Sequence, residues 1–465
     1  MLFNSLPFLV FLPIVFALFF ILQNRFRPLL LLLASYYFYL SWNPIYLLLI
    51  FSSTLTDYLA GRALGVTQSG TNRKMILTAS LVANLGLLIV FKYGDFIITN
   101  LNTIRSIWSH SDTTLPALNL LLPVGISFYT FQTISYTIDV YKRRINPETN
   151  LLRFALYVCF FPQLVAGPIE RFSSLSPQLK GPFKLTEKNL SHGFRLILYG
   201  LFTKMVIADN IAPIVDDAYL NLTELNSLNL IFVAFLYAFQ IYCDFLGYST
   251  IAIGTARLFD IKLSANFQGP YFSQSLSDFW RKWHMTLSNW FRDYVYYPLG
   301  GNKNGKTKNI IALALVFIIS GIWHGANWTF VIWGALNGVF IILEKVLDFD
   351  KKSKNLCLAF CRALIIFSLV TLLWIFFRSP DLSTALTYFS AIFENWQLPF
   401  RNPNLEIIIL LTFFIGVDFT LRKSDFAAAL DRLSWPYRWL TYFFLIFLLL
   451  GRAGTDLNPF IYFQF

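Results

Sequence analysis

Apolar runs of membrane-crossing length follow one another from Leu6 to Leu450 with few long polar gaps, and no other feature of this sequence restricts the fold as much. A bilayer core about 30 Å thick takes about 20 apolar residues per helix. Twelve runs approach that length: 6–22, 28–40, 45–59, 75–91, 120–140, 151–165, 192–208, 228–255, 310–343, 358–377, 406–421 and 437–450. Several are too short or too long for one clean span, so the pattern predicts about ten to twelve spans with some re-entrant helices. The expected fold class is an all-α, polytopic integral membrane bundle. Composition agrees. The 465 residues are 56% hydrophobic and 13% charged, against about 25% charged in ordinary soluble domains. A soluble core could not absorb that much apolar surface, so most of it faces lipid.

The net charge of +12 does not indicate nucleic acid. Its Lys and Arg residues sit in short loops between apolar runs, where membrane topology places them. Arg25 and Arg27 follow the first run, Arg62, Arg73 and Lys74 the third, and Lys142, Arg143 and Arg144 the fifth. With basic loops cytoplasmic, the N-terminus lies outside. The first run has no basic residue before it and no small-residue cleavage site after it, so it reads as a retained helix rather than a signal peptide. Cys159, Cys243, Cys357 and Cys361 show no pairing framework, and the spacing of the last two is that of a shared helix face, so no metal site is expected. One membrane domain covers 1–465: N-terminal spans over 1–150, a core over 151–347 with both of the histidines discussed below, and C-terminal spans with an aromatic tail over 348–465.

The run 310–343 would extend about 50 Å as one helix. It is broken by SGIWHGAN, with glycines at Gly321 and Gly325. Residues 310–320 would cover about 16 Å, roughly half the membrane, which would leave His324 near the membrane interior. A broken helix at that depth requires protein or a water-filled cavity around it. Of the four histidines, His110 belongs to a polar loop and His192 to the start of an apolar run. His324 is flanked by Trp323 and Gly325 within an apolar stretch. An ionisable residue in that position is either part of a functional site or a hydrogen-bonded member of the bundle. Burial favours the neutral imidazole, the form a general base requires.

His284 lies in SDFWRKWHMTLSNWFRDYVYYPLGG, where Trp280, Trp283, Leu287, Trp290 and Tyr294 recur at helical spacing among charges. The pattern suits an interfacial helix or a cavity wall. Arg281 and Lys282 are candidates for the phosphates of a nucleotide-bearing donor, or for charges that snorkel to the interface. Gln240, Asp244 and Tyr248 share one helix face, and Asp244 needs a partner, for which the Arg281 segment offers basic residues.

WRKWHMTLSNWFRDY, followed forty residues after His284 by SGIWHGANWTFVIWG, resembles the membrane-bound O-acyltransferase family. LLLLASYYFYLSWNP, LPVGISFYTFQTISYTIDVYK, FPQLVAGPIERF, QIYCDFLGYSTIAIG and ANFQGPYFSQSLSDFW are similar to its bacterial branch of alginate, peptidoglycan and cellulose O-acetylation proteins. The resemblance runs strongly from Leu6 to Trp333. It implies a bundle around a transmembrane tunnel in the bacterial inner membrane. His324 matches the family's intramembrane histidine and His284 the second histidine of this branch. Asn327, in the same block, would help shape the reacting centre, and Trp323, Asp244, Arg281 and Lys282 are further candidates for substrate binding. The resemblance further implies a cytoplasmic thioester donor (acetyl-CoA, with no bound cofactor) and a polysaccharide as final acceptor. It also implies an extracytoplasmic SGNH-type acetyltransferase partner. His324 would deprotonate the acceptor hydroxyl, and His284 would position the donor or stabilise the oxyanion.

The terminal DLNPFIYFQF reads as an interfacial aromatic anchor. FIYFQF also resembles the C-terminal motif of the small partner protein of lipoteichoic-acid D-alanylation, which would make Tyr462 a covalent acyl carrier. Three alternatives stand beside this reading: a secondary transporter, which broken helices also mark, a structural membrane subunit that only docks an external acetylating partner, and transfer of D-alanine in place of acetyl.

Overall fold

The computed structural model describes residues 1–109, 114–165, 167–303, 305–452 and 459–461. His110 and Tyr462 lie outside the described residues. The regular structure is all helical, and no strand occurs among the described residues; the expected run 120–140 becomes a helix only from Ile126. Helices Gly70–Trp108, Glu187–Leu220, Ser227–Leu258, Lys306–His324, Trp328–Val346 and Leu356–Arg378 are each long and apolar enough to cross a membrane, and Leu6–Ile21 is a shorter apolar helix. The other apolar runs lie in helices that are shorter or less apolar, among them Arg27–Leu40, Ile126–Tyr141 and Leu405–Thr420.

The chain divides into two compact units: residues 1–185 with 259–263, and residues 186–258 with 264–465. The first contains helices Leu6–Ile21, Arg27–Leu40, Pro44–Val66, Gly70–Leu88, Ile126–Tyr141 and Leu151–Cys159. Ile126–Tyr141 is buried along nearly its whole length. A polar knot centred on Asp57 ties it to two neighbours. The hydroxyls of Ser80 and Thr137 donate to Asp57 Oδ1 at 2.5 and 2.6 Å, and the Asn84 amide donates to Oδ2 at 2.8 Å. Asp57 is fully buried and every donor to it is neutral.

The second unit is built on Ser227–Leu258, a 32-residue helix that is mostly buried. It packs closely on Glu187–Leu201, where Gly193 faces the Gly254 carbonyl and Gly200 the Gly247 carbonyl; a Cβ on either Gly193 or Gly200 would approach within 2.8 Å. Between Trp280 and Met285 the chain makes a tight turn joining two short helices, Leu276–Trp280 and Met285–Phe291. Glu344 accepts the N–H groups of Leu276 and Ser277 and so anchors the first of them.

The run expected to hold a half-span followed by a span is instead two 19-residue helices, Lys306–His324 and Trp328–Val346. The first begins four residues earlier than the apolar pattern indicated and continues through Gly321 to His324. Gly321 does not end the helix because it is the point of contact with the second one. A Cβ on Gly321 would stand 2.3 Å from the Phe330 carbonyl oxygen, and one on Gly334 would stand 2.4 Å from that of Phe317. The break falls at Gly325, against the Phe330 ring. His324 is thus the last residue of one long apolar helix, in the turn to the next.

Candidate functional site

His324 is 4% exposed and enclosed by aromatic rings. Trp323, Trp333 and Phe377 lie at centroid distances of 4.9, 5.1 and 5.2 Å, each roughly perpendicular to the imidazole. Trp374 stacks on Trp333 at 5.5 Å and closes the box from behind. Such a cage fixes the imidazole plane through edge-to-face contacts.

His284 is 1% exposed and adopts φ +42°, ψ +56°. This left-handed conformation is uncommon for any residue but glycine, although His, Asn and Asp adopt it more often than others, and it costs about 1–3 kcal/mol. It turns the chain sharply between the two short helices and drives the imidazole inward. The Met285 N–H donates to the Asn266 carbonyl at 2.9 Å, and Thr286 donates to the Asn266 side chain at 2.6 Å, which holds the turn. Phe245 meets the His284 ring edge-on at 4.6 Å, and Trp323 lies 6.3 Å from it.

Both histidines line one cavity of about 480 Å³. Ser320, Phe317, Val316 and Leu313 form one wall, and from Leu313 to His324 that wall extends about 16 Å along the helix axis. Arg281, Arg292 and Lys345 also line the cavity and are exposed, whereas the histidines are buried. Asp350 lines the cavity as well, and Arg292 pairs with Asp293 at 2.8 Å, so the site is a pocket with a rim of three cations and one carboxylate and with two buried imidazoles. Among the described residues no group of His, Cys, Asp and Glu could hold a metal ion.

The remaining sequence candidates are placed as follows. Trp323 neighbours both imidazoles, at ring-centroid distances of 6.3 Å from His284 and 4.9 Å from His324. Asn327 caps the helix Trp328–Val346: its Oδ1 accepts the Thr329 N–H at 3.0 Å and its Nδ2 donates to the Pro380 carbonyl at 2.6 Å. Lys282 turns from the cavity and donates to Asp278 at 2.7 Å, with Lys352 on the other oxygen of the same carboxylate at 3.0 Å. Burial opposes ionisation of Asp278, but these two ammonium groups outweigh it and hold the carboxyl below its usual range. Asp244 is paired, although not with the Arg281 segment: Lys204 Nζ lies 2.7 Å from its Oδ1. Lys204 comes from a π-helical segment, Phe202–Ala208, whose widened turn faces the buried side of Ser227–Leu258.

Sequence reasoning did not select Lys345, Tyr296 and Ser320 as cavity residues. Lys345 had a legible signal. Trp333, Asn337, Ile341 and Lys345 recur every four residues on one face of Trp328–Val346, and the Asn337 side chain accepts the Trp280 indole N–H at 3.2 Å.

The profile of the membrane-bound O-acyltransferase family matches residues 145–379, the stretch that contains both histidines. The peptidoglycan O-acetyltransferase of Helicobacter pylori is 39% identical over 422 residues, covering 83% of this chain and 78% of that protein. A probable alginate O-acetylase of Pseudomonas putida is 34% identical over an alignment of 493 residues that covers 100% of both chains. The teichoic acid D-alanyltransferase of Bacillus subtilis is 28% identical over 264 residues, covering 54% of this chain and 67% of that protein.

Proposed function

The chain belongs to the membrane-bound O-acyltransferase family and is a multi-pass membrane acyltransferase, and from that premise we propose that it moves an acetyl group from a cytoplasmic thioester to an extracytoplasmic polysaccharide. The observation that carries this reading is the shared cavity, with two buried imidazoles and with Arg281, Arg292 and Lys345 at its rim. A thioester on a pantetheine arm has matching chemistry. Its phosphates suit the rim cations, its extended arm suits the narrow wall from Leu313 to Ser320, and its acyl carbon would arrive beside His324. Acetyl-CoA is the donor of that kind we propose, with no resident cofactor.

In the transfer step the acceptor oxygen attacks the thioester carbonyl while neutral His324 takes the hydroxyl proton. His284, in the same cavity, would donate a hydrogen bond to the oxyanion of the tetrahedral intermediate. Collapse breaks the C–S bond, and the imidazolium of His324 returns its proton to the leaving thiolate. The aromatic box gives His324 one orientation and excludes competing water. Tyr462 is the acceptor hydroxyl we propose on the protein itself, a tyrosyl ester being a way to hold the acetyl group after the donor has left. An SGNH-type acetyltransferase outside the membrane would complete delivery to the polymer. The chain would sit in the bacterial inner membrane with its N-terminus outside, as the basic loops after the first, third and fifth apolar runs indicate.

The acceptor is an envelope or exopolymer sugar hydroxyl. The relatives named for peptidoglycan and alginate support that class, and the lower identity and coverage of the D-alanyltransferase favour acetyl over D-alanine. The test is base-labile O-acetyl on polymer from cells expressing wild-type, His324→Ala or Tyr462→Phe protein at matched membrane levels. Loss of polymer O-acetyl in both variants is expected. Wild-type acetylation with Tyr462→Phe would remove the tyrosyl ester from the scheme, and wild-type acetylation with His324→Ala would remove the scheme itself.

A further inference from the structure

A second buried centre in the same unit lies outside the donor cavity. Phe460 and Ile461, which follow an exposed Pro459, do not lie along the surface as an aromatic anchor would. Phe460 is fully buried, with its ring 4.6 Å from Tyr248 and 5.4 Å from Phe245. Phe245 is the ring that meets His284 edge-on at 4.6 Å. The Ile461 N–H donates to Asp244 Oδ2 at 2.7 Å. Asp244 Oδ1 pairs with Lys204, whose ammonium also reaches Asp209 Oδ1 at 2.7 Å. Pro459 and Ile461 thus help to line a small cavity of about 40 Å³ together with Lys204, Asp209, Asp244 and Gln240.

Charge balance explains why a backbone amide is drawn there. The lining has three carboxylates, Asp209, Asp216 and Asp244, but two cations, Lys204 and Arg378. Arg378 is engaged by Asp216 at 2.5 Å, which leaves Lys204 between the other two. A buried carboxylate sharing one ammonium needs further donors, and the Ile461 N–H supplies one. Gln240 adds a separate indication. It is 9% exposed and lines this cavity, and its Oε1 has no hydrogen-bond partner among the described residues. An unsatisfied acceptor in that position is open to a further N–H or O–H donor. The π-helical turn that presents Lys204 is a local irregularity of a kind often retained for function.

We infer that Lys204, Asp209 and Asp244 form a binding site for this chain's own C-terminal segment, a latch that holds Ile461 on Asp244 and seats Phe460 on the ring adjoining His284. Asp244 and Lys204 are then positioning residues. They place the backbone immediately before Tyr462 and take no part in bond making. The role in transfer rests on the tyrosyl relay proposed above, whereas the seating itself does not.

Amide hydrogen exchange of the C-terminal peptide, measured on the full-length protein in detergent, tests the latch directly. In the wild-type protein the peptide should exchange much more slowly than an unstructured tail. Asp244→Asn replaces a charge-assisted hydrogen bond by a neutral one and should raise its exchange about tenfold or more. Ile461→Pro removes the donated N–H while every side chain of the Lys204 cluster stays in place, and it should have the same effect with exchange in Ser227–Leu258 unchanged. This second variant decides the matter if Asp244→Asn disturbs the bundle. A wild-type tail exchanging at the rate of a free peptide, or an Ile461→Pro tail as protected as wild type, would overturn the latch. The relay fails separately: unchanged acetylation with Tyr462→Phe, together with a protected tail, would discard the tyrosyl ester and keep the seating.

Discussion

Asp57 in the first unit and His324 in the second are both ionisable side chains buried in helical bundles, yet their surroundings are opposite in kind. Asp57 is saturated. Two hydroxyls and an amide from neighbouring helices converge on its oxygens, so its burial is repaid by hydrogen bonds that join three helices. His324 is held by ring edges, and it faces a cavity large enough for a substrate. A buried polar group whose partners are all protein groups specifies structure. One that lines a cavity of substrate size, with its ring plane set by neighbouring aromatic edges, is placed for chemistry.

The comparison breaks most sharply under substitution. His324→Ala should lower acetyl transfer by about 10²–10⁴-fold, the range for a lost general base, with little change in thermal unfolding in detergent. Asp57→Ala should do the reverse. It strands three donors and should cost about 3 kcal/mol or more of stability, while turnover per folded molecule stays near wild type. A large catalytic loss in folded Asp57→Ala protein would erase the distinction.

His284 falls between the two, since it is in the cavity and also in a strained turn. His284→Asn preserves a residue type that tolerates the left-handed conformation but removes the imidazole. Stability should hold within about 1 kcal/mol while the rate falls about 10²-fold, the scale for one oxyanion donor. The rim residues should act on binding. Arg281→Ala or Lys345→Ala is expected to raise the KM for acetyl-CoA by about tenfold with a smaller change in kcat, as loss of one charge-assisted phosphate contact would.

The smallest effect concerns Asp278, whose carboxyl is held below its usual range by Lys282 and Lys352. A depressed folded-state pKa gives stability that is present above the unfolded value and is lost as pH falls through the folded one. The wild-type protein should therefore lose stability on acidification below about pH 4. Asp278→Asn should flatten that limb, without altering acetyl transfer at neutral pH.

Much of this was legible in the sequence. Run lengths and the scarcity of charge gave the all-helical membrane class, and an imidazole isolated among apolar residues pointed to His324. The motif order that resembles the acyltransferases was confirmed by the family match over residues 145–379. What was not legible depended on contacts between distant elements. Hydropathy suggested that Gly321 interrupts a helix, but the opposing Gly334 makes it a packing position, and the break moves to Gly325. Asp244 plainly required a cation, but one from forty residues upstream on a π-helical turn could not be chosen over the nearer Arg281 segment. Lys282 and Arg281 are adjacent in sequence and equally basic. That Arg281 lines the cavity and Lys282 pairs with Asp278 is decided by the turn at His284 and by a carboxylate one helical turn away.

The most direct test of the account is turnover of labelled acetyl-CoA by the purified protein in detergent, beside a folded His324→Ala variant. The account predicts thioester cleavage with label retained on the wild-type protein and neither in the variant. Equal cleavage by both proteins, or no cleavage by wild-type protein that still acetylates polymer in membranes, would contradict His324 as the base and acetyl-CoA as the donor.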